Sequence, residues 1–406
     1  MSLKRSVVRA LTLSATGAVA LAGTVAIGSA NLASASTKAT GKPLVVMEPE
    51  GFPNDAGATG ASGVTAAVAK INSAGGIGGR PIKVITCSAM TASTTESCAR
   101  AAVANPSIVA VINSTLIFGQ FDSVANAAGL AMIGDPLTTQ DFSSPNFFAL
   151  TAGSLGVGGA AAVLNDSLKA KNLAMTYVDV PAAQTLSTLI NLAILAPRGS
   201  QLGAKIPVPP TASDVAPYIA AVPSNAGGLV LANTQNQAVQ LILQAKNSGA
   251  TYPIAAPTST LSQFSVNKYI GNAAKNLYVA STTKLSGSGF NNYEAAMRTI
   301  GKSGTEADTS QAINGWLAVS LFKSVVLSIG AGNVTRQQIL GKLPTISNFS
   351  TGGLTPTLNF TKKQTVFGGA VANIINPTVV AYKYNPQSKK FVQQGSGAFI
   401  NMFAAS

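Results

Sequence analysis

The strongest constraint on this chain is an alternation of short apolar runs with stretches of helical spacing, occurring in two series. In the first series, Leu44 to Met47 reads as a buried strand, followed by Val64, Val68 and Ile71 at helical spacing. Gly75-Gly76 ends that helix, because glycine enters the left-handed region cheaply. Pro81 to Thr86, Ile108 to Ile112 and Leu130 to Ile133 read as further strands, with helices over Ser93 to Ala104 and Phe118 to Ala127. The second series has helices over Val157 to Leu168, Ala183 to Leu195 and Asp214 to Ala221. Its strands are Leu173 to Val178, Leu229 to Ala232, Pro253 to Ala256 and Leu277 to Ala280. Ala238, Leu241, Ile242 and Ala245 form one helical face. Such alternation indicates parallel sheets covered on both faces, and two series indicate two α/β domains.

The tail departs from this rhythm. Asn291 to Ile300 and Ala312 to Ile329 read as helices, the second nearly all apolar and hence buried, with Trp316 as a core residue. Thr335 reads as the N-cap of another helix, and Val371 to Ile375 and Thr378 to Tyr384 as strands. Beyond the N-terminal segment, no stretch is expected to reach the ~20 apolar residues of a membrane span.

Residues 1–35 read as an export signal. Lys4, Arg5 and Arg9 precede an apolar segment from Ala10 to Ile27, and Ala33-Ser34-Ala35 fits signal-peptide cleavage before Ser36. Leu21-Ala22-Gly23-Thr24 has the form of a lipoprotein box with Thr24 at the lipid-acceptor position, where a thioether cannot form. The expected product is exported, periplasmic, cell-envelope or extracellular, and not lipidated. Removing 35 of the 406 residues leaves 371, enough for two or three domains.

Composition excludes several chemistries. The chain has no histidine, which removes Ser-His-Asp hydrolases, Cys-His proteases and most zinc enzymes. The 13 acids argue against a carboxylate-rich metal protein, and neither a metal nor a cofactor is expected. The net charge of +14, less the three bases of the leader, leaves +11. These bases are scattered and have no interleaved aromatics, so no nucleic-acid partner is expected. Cys87 and Cys98, an even pair in an exported chain, read as one disulfide from a strand end to the next helix.

From Gly63 to Ile85 the sequence runs GVTAAVAKINSAGGIGGRPIKVI. This resembles the first helix and second strand of substrate-binding proteins for branched-chain amino acid ABC transporters. The cysteine pair with Ala99-Arg100, the strands Ser107 to Ile112 and Gly129 to Ile133, and Asn348 to Thr355 resemble later parts of the same family. The likeness spans about Gly41 to Gln394. It implies the type I periplasmic-binding-protein fold: two doubly wound domains joined by three crossovers, with a ligand cleft between them. The implied domains are 41–152 plus 282–375, and 153–281 plus 376–406. The implied partners are a small-molecule ligand and a membrane ABC permease, and a monomer is expected.

Ligands of open α/β sheets sit outside the strand carboxyl ends. That places Glu48, Glu50, Phe52, Asn113, Thr115, Phe118, Leu137 and Thr138 at the first-domain site, and Asp179, Gln184, Asn233, Thr234, Pro257 and Thr258 at the second. In the family, the third- and fourth-strand loops hold an amino acid's carboxylate. Thr138 falls on the matching Thr, and Thr115 lies near the matching Ser or Thr. Members that bind amino acids place an acid after the third strand of the second domain. Here that stretch is Ala255 to Thr260, with no acid, while Ala56 and Ala182 stand where aromatics are common. An unpaired ammonium in a closed cleft is costly. The expected ligand is therefore not a simple zwitterionic amino acid, unless Glu48, Glu50 or Asp179 supplies the counter-charge. The expected function is delivery of a small solute to an ABC importer. A ligand sensor of the same fold is the alternative, and no enzyme is expected, since no nucleophile elbow, phosphate loop or metal cluster appears.

Overall fold

The computed structural model describes residues 39–51 and 58–403. The export-signal reading of residues 1–35, together with Phe52 and Ala56, lies outside these residues. Within them the chain begins with β1 (Leu44–Glu50), α1 (Gly60–Ser73), β2 (Ile82–Ser88), α2 (Ala92–Ala104), β3 (Ile108–Asn113) and α3 (Gln120–Ala127). β4 (Met132–Gly134) and β5 (Phe147–Ala149) complete a five-stranded parallel sheet in the order β2-β1-β3-β4-β5.

The chain then builds a second sheet. Its elements are α4 (Gly156–Leu168), β6 (Leu173–Val178), α5 (Pro181–Leu189), β7 (Leu202–Val208), α6 (Ala216–Ala220) and β8 (Leu229–Ala232). After these come α7 (Gln235–Asn247), β9 (Ile254–Pro257), α8 (Gln263–Ser265) and β10 (Leu277–Ser281). Next it returns with α9 (Ser288–Thr299), α10 (Ser310–Ile329) and α11 (Arg336–Lys342) to the first sheet, and ends in β11 (Thr378–Asn385), β12 (Lys390–Gln393) and β13 (Ile400–Asn401) on the second. Strands β6 to β10 are parallel, and β11 and β12 add an antiparallel edge. The chain thus passes between the sheets three times.

Apolar alternation explains which faces are covered. Val46, Ala110, Ile112 and Ile133 point toward α1 and α10, while Val111, Met132 and Phe147 pack with Ala99 and Ala102 of α2 and Phe121 of α3. Glycine allows α1 and α10 to approach closely. A Cβ on Gly63 would lie 1.8 Å from the Ala312 carbonyl oxygen, and one on Gly315 would lie 2.4 Å from that of Gly60. In the second lobe α4 is buried on every side from Gly156 to Asn165, and α7 covers the opposite face with Ala238, Leu241, Ile242 and Ala245.

Several sequence expectations need correction. Val371 to Ile375 forms turns rather than a strand; Asn373 Nδ2 donates to the carbonyls of Asp141 and Ser144, and the apolar neighbours Val371 and Ile374 are simply buried. Glu48 to Glu50 is strand, not loop, because β1 continues through Pro49 in register with Thr86 to Ser88. The helix expected from Phe118 starts at Gln120. β5 and β7 were not anticipated: β5 has three residues, and β7 is an edge strand with Gly203 and Pro207 inside it. Helix α10 has the 20 residues and the apolarity of a membrane span, contrary to the expectation above, but most of it is buried within the first lobe.

Candidate functional site

Strand parity sets the first half of the site. Val46, Glu48 and Glu50 share one face of β1, since side chains alternate with period two. Glu48 is 2 % exposed, whereas Glu50 at the rim is exposed. Ser114 Oγ donates to Glu48 Oε1 at 3.3 Å. Burial, reinforced by the charge of Glu50, pushes the Glu48 carboxyl up to about 8, against the lowering effect of Ser114. Glu48 is therefore largely neutral at pH 7.

Thr115 joins the exits of β1 and β3. Its Oγ1 accepts from the Gly51 N–H at 3.0 Å and donates to the Pro49 carbonyl at 3.3 Å. Only glycine fits at position 51, where a Cβ would lie 2.1 Å from the Thr115 carbonyl oxygen. These residues enclose a cavity of about 230 Å³ lined by Glu48, Glu50, Thr59, Ser88, Met90 and Thr115, among others. A larger hollow of about 550 Å³ lies beside Lys275, Asn385 and Gln387, at the opposite strand ends of the second lobe and away from the candidate residues.

The exit of β4 carries a reciprocal cap. Asp141 Oδ2 accepts the N–H groups of Leu137 and Thr138, each at 2.8 Å, and the Asp141 N–H donates to Thr138 Oγ1 at 3.3 Å. Asp141 and Asp122 are both buried, each with one oxygen lacking a hydrogen-bond partner. Burial, then the Asp122 charge, holds the Asp141 carboxyl well above the usual range. Asp135 accepts from Thr151 Oγ1 and is pushed up to about 6 by burial. Asn113 is fully buried, with Oδ1 accepting from Leu116 N–H and Nδ2 unpartnered. Phe118 is half-buried beyond β3.

In the second lobe, Asn233 Oδ1 accepts from Thr176 Oγ1 at 2.7 Å, and Asn233 Nδ2 donates to Gln237 Oε1 at 3.4 Å. Thr234 caps α7 by accepting from Gln237 N–H. Gln184 Nε2 donates to the exposed Asp179 at 3.1 Å. At the exit of β9, Pro257 is buried and Thr258 Oγ1 shares a hydrogen bond with Ser310 Oγ at 2.7 Å and donates to Ser281 Oγ. Because Ser310 opens α10, Thr258 ties the second sheet to the helix that covers the first.

The structure therefore brings Glu48, Glu50 and Thr115 around one cavity, with Leu137 and Thr138 in a capped turn at the end of β4. Asp179 with Gln184, Asn233 with Thr234, and Pro257 with Thr258 form separate groups at second-lobe strand exits. Thr59, Ser88 and Met90 were not anticipated. The rule that sites lie beyond strand ends applied to β2 as well, and would have found Ser88. Cys87 and Cys98 form a disulfide, with Cα atoms 5.9 Å apart, joining β2 to α2. Among the described residues no group of three His, Cys, Asp or Glu side chains is placed to hold a metal ion.

No curated protein sequence matches the chain. Solved structures do. The branched-chain amino acid transporter substrate-binding protein of Streptococcus pneumoniae, in complex with isoleucine, has a TM-score of 0.66 at 18 % identity, over 86 % of this chain and 100 % of that one. A possible leucine/isoleucine/valine-binding protein from Rhodopirellula baltica has a TM-score of 0.70 at 12 % identity, over 89 % and 98 %. A fatty acid ABC transporter substrate-binding protein from Thermomonospora curvata has a TM-score of 0.69 at 15 % identity, over 90 % and 94 %. At these identities the likeness establishes the type I periplasmic-binding-protein fold. The sequence profile described as periplasmic binding protein matches residues 50–374, most of the chain. With one parallel and one mostly parallel sheet, three passages between them and polar residues gathered at the strand exits, this chain belongs to the periplasmic binding protein family.

Proposed function

We propose that this protein is an extracytoplasmic solute-binding protein that closes on a small organic ligand and delivers it to an ABC importer. The lobes are taken as 41–152 with 282–375, and 153–281 with 376–406, closing by hinge motion at the three passages. The chain is exported, cleaved after Ala35 without lipid, and acts as a monomer. The ligand is not an α-amino-acid zwitterion. The observation that carries this is the exit of β9: Ala255 to Thr260 contains no acid, and Thr258 is engaged with Ser281 and Ser310. An ammonium held there would be buried without a counter-charge, at a cost of several kcal/mol.

A thermal-shift screen of the exported protein against organic acids, amides, amines and amino acids tests the binding reading. A true ligand at 100-fold its Kd adds roughly 2.7 kcal/mol of stability. No shift with any small solute would sink it. Calorimetry with leucine, isoleucine and valine beside their deaminated acids tests the ligand class. Tight binding of the amino acids would refute it.

A further inference from the structure

We infer that the cavity at the exits of β1 and β2 is an amine site, where Glu48 receives the ammonium of a small ligand that carries no carboxylate beside it. This rests on the solute-binding reading and names the class of solute. In a chain with 27 basic residues against 13 acids, Glu48 and Glu50 both line this 230 Å³ cavity, and no Lys or Arg is among its described lining residues. Ser114 is the one hydrogen-bond partner of Glu48 among the described residues, and it reaches only Oε1. Oε2 has no hydrogen-bond partner among the described residues, on a side chain 2 % exposed at the cavity wall. Thr115 directs its proton to Pro49, away from a ligand. The cavity thus offers chiefly acceptors. An ammonium brings three donors, whereas a carboxylate would meet like charge from Glu50. Met90, 41 % exposed beside the carboxyls, gives an alkyl chain a polarizable contact.

Protons must balance on binding. Glu48 shares this cavity with Ser88 at the end of β2, Thr115 just after β3 and Thr59 before α1, bonds Ser114 beside them, all uncharged, and among the described residues Glu50 is the one other charged group that lines it. Free Glu48 holds its proton up to about pH 8. When an alkylammonium binds, the carboxyl releases that proton to solvent and the ion pair forms.

Calorimetry of the exported protein with 3-methylbutylamine, in buffers of different ionisation enthalpy, tests this, with 3-methylbutanoate and leucine as comparisons. The expected result is binding of the amine alone, release of about one proton per amine at pH 6–7, and affinity rising nearly tenfold per pH unit until it levels near pH 8. Glu48→Gln should bind the amine at least tenfold more weakly and release no proton. Binding of 3-methylbutanoate or leucine in preference to the amine would overturn the inference. So would no binding of the amine, or binding without proton release, a readout that does not depend on the variant folding. If other solutes still shift the melting temperature, the solute-binding reading stands while this one fails.

Discussion

Glu48 and Thr138 each do something in the free protein that a substitution can measure. Glu48 is a carboxyl in an apolar position of β1, and its neutrality in the free protein has a measurable cost. Glu48→Gln mimics the protonated form. It should leave stability at pH 5 nearly unchanged and raise it at pH 9, where the wild-type carboxyl is forced to ionise while buried. Thermal unfolding at the two pH values checks this. Thr138 caps the turn after β4 through its exchange with Asp141. Thr138→Val removes the cap acceptor while keeping shape, and should cost about 1 kcal/mol in denaturant unfolding. The sequence marks both residues as lying beyond apolar runs, which was enough to select them. It could not show that β1 runs on through Pro49, because a proline after an apolar run ordinarily signals a loop. The burial of Glu48 became legible only with that register.

At the scale of elements, most helices and central strands were readable because their apolar spacing is unambiguous. Leu173 to Val178 and Leu229 to Ala232 match their observed strands residue for residue. Thr335 caps α11 as expected, with Gln338 completing the box. What escaped were elements defined by neighbours rather than by their own pattern, such as β7, with Lys205 and Gly203 on an edge. The contact of α1 with α10 is of the same kind. Gly63→Ala would drive a methyl into the Ala312 carbonyl, and should destabilise the first lobe by about 1–3 kcal/mol. Urea unfolding measures it, and an unchanged midpoint would refute the close packing. The Cys87–Cys98 bridge closes a short loop between β2 and α2. Its removal in Cys98→Ser should cost roughly 3 kcal/mol or less. Free-thiol labelling of the denatured, unreduced wild type should find no reactive thiol.

For the whole molecule, four buried carboxyls and the half-buried Asp308, among the described residues, set the pH profile. Glu48, Asp122, Asp135, Asp141 and Asp308 all lie above their ordinary values, with burial the first cause in each. Each raised group contributes stability that is fully present below its unfolded-state value and is lost as pH rises through its folded-state value. The free protein should therefore melt highest near pH 4–5 and lose stability, on the order of a few kcal/mol, by pH 8. A melting temperature that rises from pH 5 to pH 8 would contradict this. The two-lobed plan was legible from the two strand-helix series, but the return of the chain to the first sheet came only from the family resemblance, since by its own pattern α10 reads as any buried helix would. That return has a consequence for biogenesis. The sheet formed by residues 44–149 waits for a cover supplied by residues 310–329. A chain emerging N-terminus first therefore completes its second lobe's parallel strands while the first lobe is still open on one side. Residues 36–152 produced alone should be a sticky, non-cooperative fragment. Co-production with 282–375 should rescue it in trans, a complementation that a simple tandem of two lobes would not need.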